Sequence, residues 1–323
     1  MRLLVTGGTG FLGRHLVHAL LARGDAVRVL GRNKAIGAEL TAAGAMLLCA
    51  DLRDRASVIA ACENVDAVIH AGALSAPWGR RAEFYATNVG STDSIIAGCR
   101  RHRVQRLIYV SSPSVVFDGR DHHNLTEDAP YPHRFASIYS LTKKLGEDRV
   151  NAARDLKTVI LRPKAIFGPG DTSLLPRLLD AARQRRLPQI GDGRNRVDLT
   201  YVDNVVHALL LALDAEQAVG KTYTITNDEH VPLWDVIYQL LRRLNLPTQL
   251  RRVPLPLALV AATVMELRAA VTNTEPLLTR YSTLILARTQ GYDIGAARRD
   301  LGYAPLLSVA EGIKRTLAAL ATS

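Results

Sequence analysis

The apolar run Leu3-Leu4-Val5 passes directly into Thr6-Gly7-Gly8-Thr9-Gly10-Phe11-Leu12-Gly13, the pattern of a strand that turns through glycines into a helix. Glycines let the backbone pass close to a pyrophosphate, and the amides opening the new helix point their partial positive charge at that anion. Gly8-x-Gly10-x-x-Gly13 fits the general dinucleotide fingerprint, and Gly7-x-x-Gly10-x-x-Gly13 fits a variant spacing of it. A bound dinucleotide is the first expectation.

Short β-type runs alternate with helical stretches through the first half: Leu3–Thr6, Ala26–Leu30, Met46–Cys49, Ala67–His70, Arg106–Ser111 and Thr158–Arg162. Each parallel crossover needs a helix to return the chain, so the alternation predicts an α/β fold, a doubly wound parallel sheet covered on both faces. After Arg162 the regularity breaks at Pro163, Gly168-Pro169-Gly170-Asp171 and Gly191-Asp192-Gly193, and helices such as Ser173–Gln184, Leu233–Leu244 and Pro256–Ala270 dominate. The expected division is a dinucleotide-binding domain over residues 1–165 and a smaller, mainly helical substrate lobe over 166–323. Segments near 197–226 are expected to return to the sheet. The cleft between the lobes is the expected substrate site.

The 323 residues suffice for one large α/β unit with an appended lobe. Three scattered cysteines, Cys49, Cys62 and Cys99, indicate neither a disulfide framework nor a metal site, so no metal is expected. With no basic leader ahead of the first strand, the expected compartment is the cytoplasm. The apolar stretch from Leu255 to Met265 falls short of the roughly 20 residues that cross a bilayer, so no transmembrane helix is expected. A net charge of +11 comes from small scattered arginine groups without interleaved aromatics. This excludes a nucleic-acid partner and favours anionic substrates or a phosphorylated cofactor.

Tyr139 and Lys143 stand four residues apart and share one helix face. A phenol of ordinary pKa about 10, placed beside an ammonium and a cationic nicotinamide, moves toward neutrality and becomes a general acid/base for alcohol and ketone chemistry. Upstream, Leu107-Ile108-Tyr109-Val110 runs into Ser111-Ser112-Pro113-Ser114-Val115, which places hydroxyls where open α/β sheets hold their ligands. His70 ends a buried strand and reads as structural, and Asp203 reads as a helix cap.

Glycine turn, strand-end serine and Tyr-x-x-x-Lys pair together resemble the extended short-chain dehydrogenase/reductase superfamily over nearly the whole chain. Asp51-Leu52, His70-Ala71-Gly72-Ala73, Asn88-Val89-x-x-Thr92, Leu161-Arg162-Pro163 and Asp198-x-Thr200-Tyr201-Val202-Asp203 match as well. The resemblance implies a Rossmann-type sheet, an oxidoreductase acting on CH–OH groups, and Ser112, Tyr139 and Lys143 as the catalytic trio. It places the cofactor against Gly7, Gly10, Phe11, Leu12, Gly13, Asp51, Leu52, Ala71, Gly72, Ala73, Asn88 and Pro163, with Tyr139 and Lys143 at the nicotinamide end. Many relatives form homodimers, which is the expected assembly here.

At the end of the second strand stands Gly31, where NAD-selecting chains carry an acid. Arg32 follows, and a guanidinium can pair with a 2′-phosphate. NADP(H) is therefore the expected cofactor, with NAD(H) possible. Trp78-Gly79, Ser112-Pro113-Ser114-Val115, Leu175-Pro176-Arg177-Leu178 and Glu275-Pro276-Leu277-Leu278-Thr279-Arg280 resemble the 3β-hydroxysteroid dehydrogenase-like branch, including reductases of 2-alkyl-3-ketoalkanoates. That branch implies an apolar small-molecule ketone or alcohol, of β-keto acid or 3-hydroxysteroid type. Trp78, Ser114 and Phe167 are candidate substrate contacts. Arg196 would suit the alternative, a nucleotide-sugar epimerase or dehydratase. The apolar segment Val253–Leu286 is expected to cap the pocket, join an interface or touch a membrane peripherally.

Overall fold

The computed structural model describes residues 1–272 and 274–321. Its centre is a seven-stranded sheet whose strands run, edge to edge, Met46–Cys49, Ala26–Gly31, Arg2–Thr6, Ala67–His70, Arg106–Val110, Lys157–Pro163 and Lys221–Ile225. All neighbours pair in parallel. The direction of winding reverses between Arg2–Thr6 and Ala67–His70, and the C-terminal ends of those strands part to leave the crevice in which such sheets hold ligands.

Successive strand residues point to opposite faces, so a sheet covered on both sides must be apolar without interruption. Leu3 and Val5 enter one core and Leu4 the other; Ile108 and Val110 oppose Leu107 and Tyr109 in the same way. The first core lies under the helices Phe11–Ala22 and Val202–Asp214, joined by Ile294, Ala297, Leu301 and Tyr303 from late in the chain. The second lies under Arg55–Ala61, Ser91–His102 and Ile138–Ala152. A helix absent from the sequence reading, Lys34–Ala42, is started by the Asn33 side chain, which accepts from the amides of Ala35 and Ile36.

The C-terminal lobe is not purely helical. Arg196–Asp198, His230–Pro232 and Gln290–Tyr292 form a small sheet with His122–Leu125, a strand drawn from the first half of the chain. Asp203 does not cap its helix: Tyr201 holds the N-cap position, and Asp203 sits one residue inside the helix, facing His15 at 3.4 Å.

The apolar stretch expected to end at Met265 continues as an 18-residue helix, Leu255–Thr272, with a mean hydropathy of 1.5. Glu266-Leu267-Arg268-Ala269-Ala270 are good helix formers and carry it on. Length and composition therefore no longer exclude a membrane-crossing helix. Its packing is inverted. Small Ala258, Ala262 and Ala269 face the protein, while Leu257, Val260, Val264, Leu267 and Val271 are exposed. At its far end Glu266 grips the next helix, accepting from both the amide and the Nε of Arg280 at 2.7 Å.

Candidate active site

A cavity of about 690 Å³ opens at the switch point and extends from the glycine turn to Tyr139 and Lys143. At the turn, Gly7 has φ +68°, and a Cβ there would lie 2.6 Å from the Cα of Gly72, so backbone meets backbone. A Cβ on Gly13 would lie 2.1 Å from the Gly7 carbonyl oxygen. Only glycine satisfies both positions. The helix Phe11–Ala22 begins at Gly10 without a side-chain cap, which leaves its first-turn amides for an anion. Phe11 and Leu12 line the cavity there, and Ala71, Gly72 and Ala73 form the wall opposite.

At the end away from Tyr139, Gly31 lies so close to Thr9 that a Cβ would stand 2.3 Å from its Oγ1. No acid stands at position 31, and a side chain there would require Thr9 to shift. Arg32, Asp51 and Leu52 line this end. Arg53, which the sequence reading passed over, joins them and binds Asp51 through Nε and Nη2 at 2.9 Å each. Arg32 reaches the same carboxylate at 3.4 Å. Hydrogen bonding to Arg53 holds the Asp51 carboxyl well below the ordinary carboxylate range. A second arginine directly after Asp51-Leu52 was the available signal.

At the reacting end the helix Ile138–Ala152 begins at Ser137, whose hydroxyl accepts from the Ser140 amide at 3.0 Å. Tyr139 and Lys143 face the cavity from this helix; Ser112 and Pro163 enter from strand ends. Lys143 Nζ donates to the Val110 carbonyl at 2.7 Å and lies 4.0 Å from the centre of the Tyr109 ring. Burial lowers the Lys143 ammonium to about 7, opposed by Glu147 one turn further along. The expected depression of the Tyr139 phenol calls for a nicotinamide cation as well as Lys143; the protein's own groups move it the other way. Burial pushes it up to about 12, and the hydroxyl of Ser112 opposes that rise. Desolvation outweighs the Ser112 hydrogen bond.

Glu147 completes a ladder at four-residue spacing from Tyr139 through Lys143. It is fully buried and takes Arg162 bidentately, Nε and Nη2 each at 2.8 Å. His70 is structural. The Thr6 hydroxyl accepts from the Gly72 amide and hydrogen-bonds His70 Nδ1 at 2.6 Å, while Nε2 lies between the hydroxyls of Ser91 and Thr92 at 3.3 Å each. Burial, with Lys143 nearby, holds its pKa down to about 3, so the ring is neutral.

Several expected contacts lie off the cavity wall. Asn88 is buried beside it instead, in a π-helical turn, and its amide joins the backbone of Leu74 to the Thr142 hydroxyl. It therefore fixes the Ala71–Leu74 wall against the Tyr139 helix. Phe167 is core, edge-on to Tyr201 and packed beneath Gly312. Arg196 is exposed and donates to the His230 carbonyl. Trp78 is half-buried outside the wall, and Ser114 is buried behind it. Tyr281, unmarked by any motif, completes the wall from the C-terminal lobe.

The profile of the 3-beta hydroxysteroid dehydrogenase/isomerase family matches residues 4–257. The chain belongs to this family. Among members similar to it, a 2-alkyl-3-oxoalkanoate reductase from Stenotrophomonas maltophilia is 39% identical over 99% of this chain and 100% of its own length. A decarboxylating sterol-4-alpha-carboxylate 3-dehydrogenase from Mus musculus is 36% identical over 97% of this chain and 89% of its own. A dTDP-glucose 4,6-dehydratase from Streptomyces venezuelae, solved with NAD bound, superposes with a TM-score of 0.80 at 26% identity, covering 100% of this chain and 98% of that one. The protein is thus an oxidoreductase of the extended short-chain dehydrogenase/reductase class, in its 3β-hydroxysteroid dehydrogenase-like branch, and uses a nicotinamide cofactor.

Proposed function

We propose that this protein is an NADP(H)-preferring ketoreductase that interconverts a ketone and a secondary alcohol on a bulky apolar skeleton, with 2-alkyl-3-oxo acids as the favoured class. The observation that carries the reading is the convergence of Ser112, Tyr139 and Lys143 on the cavity whose far end is the glycine turn. The full-length likeness to a 2-alkyl-3-oxoalkanoate reductase supports the substrate class. Gly7, Gly10, Gly13 and the amides of Phe11 and Leu12 hold the pyrophosphate, and Arg32 with Arg53 meets the 2′-phosphate. When bound, the nicotinamide supplies or accepts hydride at the substrate carbon. Ser112 and Tyr139 bind the carbonyl oxygen, and Tyr139, protonated at neutral pH, gives its proton as the alkoxide forms. Lys143 steadies the phenolate left behind.

The test is net oxidation of NADPH by a 2-alkyl-3-oxo acid, followed by absorbance of the reduced nicotinamide. Tyr139→Phe should lower turnover by about 10²–10⁴-fold. Arg32→Ala should narrow the ratio of Michaelis constants for NADH and NADPH; an unchanged ratio refutes the cofactor preference. Absence of net oxidation with every ketone tried would favour an epimerase or dehydratase, whose redox cycle is closed. Arg196, the residue that suited a nucleotide diphosphate, lies away from the cavity.

We also infer that the helix Leu255–Thr272 rests on an anionic lipid surface. Its large aliphatic side chains face outward, and exposed Arg251, Arg252 and Arg268 stand beside them in a chain of net charge +11. Substrates with long alkyl chains partition into the same phase.

A further inference from the structure

We propose that His15 is a positioning residue for the nicotinamide cofactor. Its ring latches the loop Gly168-Pro169-Gly170-Asp171 onto the helix Phe11–Ala22, and the loop in turn seats Thr172, Ser173 and Leu174 as a wall beside the glycine turn, so the latch sets how fast the cofactor leaves. This rests on the cofactor reading of the cavity and adds a residue that stands behind the wall. Phe11, Thr172, Ser173 and Leu174 line the cavity, whereas His15 does not.

Contacts on both sides of Pro169 bring the loop to the first turns of this helix. His15 Nε2 donates to the Pro169 carbonyl oxygen at 2.9 Å. The imidazole stands edge-on to Phe11 with centroids 5.6 Å apart, and its Nδ1 lies 3.4 Å from the Asp203 carboxylate on the helix Val202–Asp214. Pro169 is flanked by glycines that back onto the same residues. A Cβ on Gly168 would lie 2.5 Å from Val202 Cγ1 and 3.4 Å from the Phe11 ring, and one on Gly170, at φ +77°, would lie 2.0 Å from the Arg14 guanidinium. The helix whose first amides await the pyrophosphate is therefore the helix that holds the loop.

The hold at Pro169 passes along a short, tightly bonded segment. The Asp171 amide donates to the Gly168 carbonyl at 3.2 Å and closes a turn. The Asp171 carboxylate then accepts from the amides of Ser173, Leu174 and Leu175 at 2.8, 3.2 and 2.9 Å, which starts the helix Leu174–Arg183. Little slack is left between Pro169 and the cavity wall. Thr172, Ser173 and Leu174 are themselves exposed, and a wall with so little burial has few apolar contacts to keep it in place without the latch. In a reductase the oxidised cofactor must leave after every turnover, so the hold on this wall bears on each cycle.

The experiment reads cofactor release with no substrate present. Protein loaded with NADPH is mixed with excess NADP⁺ in a stopped-flow instrument and the loss of bound nicotinamide fluorescence is followed, with NADH and NAD⁺ in parallel. His15→Ala should speed release about five- to tenfold, the worth of one hydrogen bond, while His15→Gln, whose amide can still donate to the Pro169 carbonyl, should stay within about twofold of wild type. Asp171→Ala leaves His15 in place but frees the amides of Ser173, Leu174 and Leu175; it should also speed release, and it carries the test if His15→Ala fails to fold. Hydrogen exchange over residues 171–175 of the cofactor-free protein should quicken in His15→Ala. If wild type binds neither NADPH nor NADH, the cofactor reading falls and this inference with it. If wild type binds, and either His15→Ala or Asp171→Ala releases at the wild-type rate or His15→Gln releases as fast as His15→Ala, the inference alone falls.

Discussion

Tyr139 and Lys143 show how one motif can carry two opposed demands. Their spacing in sequence predicts an ammonium that acidifies a phenol, yet burial moves the phenol up to about 12 and the ammonium down to about 7. Between pH 7 and 10.5 the unfolded chain holds a proton at Lys143 that the folded chain does not, so this residue makes stability rise with pH across that window and lose ground as pH falls toward 7. Lys143→Met should remove this residue's share of the slope, leaving that of buried Lys164, and melting temperatures of the two proteins, compared across the window, should differ by an amount that changes with pH. A constant difference would show that the lysine titrates normally. That Tyr139 and Lys143 line one cavity was legible in their helical spacing, a local property, whereas Ser112 was singled out from its neighbouring serines only by the family resemblance. Tyr281 was not singled out, although the Glu275–Arg280 run ends just before it, because it comes to the cavity lined by Tyr139 only once the C-terminal lobe has folded back.

The helix Ile138–Ala152 presents a ladder in which the third rung is structural. Glu147 and Arg162 are buried with two 2.8 Å bonds between them, and the Tyr131 hydroxyl donates to the same carboxylate at 2.8 Å. Removing one partner strands the other's charge, so Glu147→Ala should cost about 3–5 kcal/mol in a denaturant titration, while Glu147→Met with Arg162→Met should recover much of that loss. A single variant as stable as wild type would mean that water reaches Arg162. The uninterrupted apolar strands of the central sheet were legible, since a strand covered on both faces has no polar side. Lys34–Ala42, interrupted by Gly37, and the three-residue strands of the lobe are too short or too mixed to show a period.

Across the whole molecule the most unusual surface is the helix Leu255–Thr272, whose large side chains lie outside and whose alanines lie inside. The protein should co-sediment with phosphatidylglycerol vesicles and release them in high salt. Val264→Asp with Leu267→Asp should abolish binding at unchanged melting temperature, since both positions are already in solvent. Wild type that ignores such vesicles but runs as a dimer split by the same pair of changes would assign the face to a second copy of the chain. The clasp between Glu266 and Arg280 then acquires a mechanical meaning. It ties the outward-facing rod to the first turn of the helix that carries Tyr281, so the bare aliphatic face and one wall of the cavity hang from a single joint.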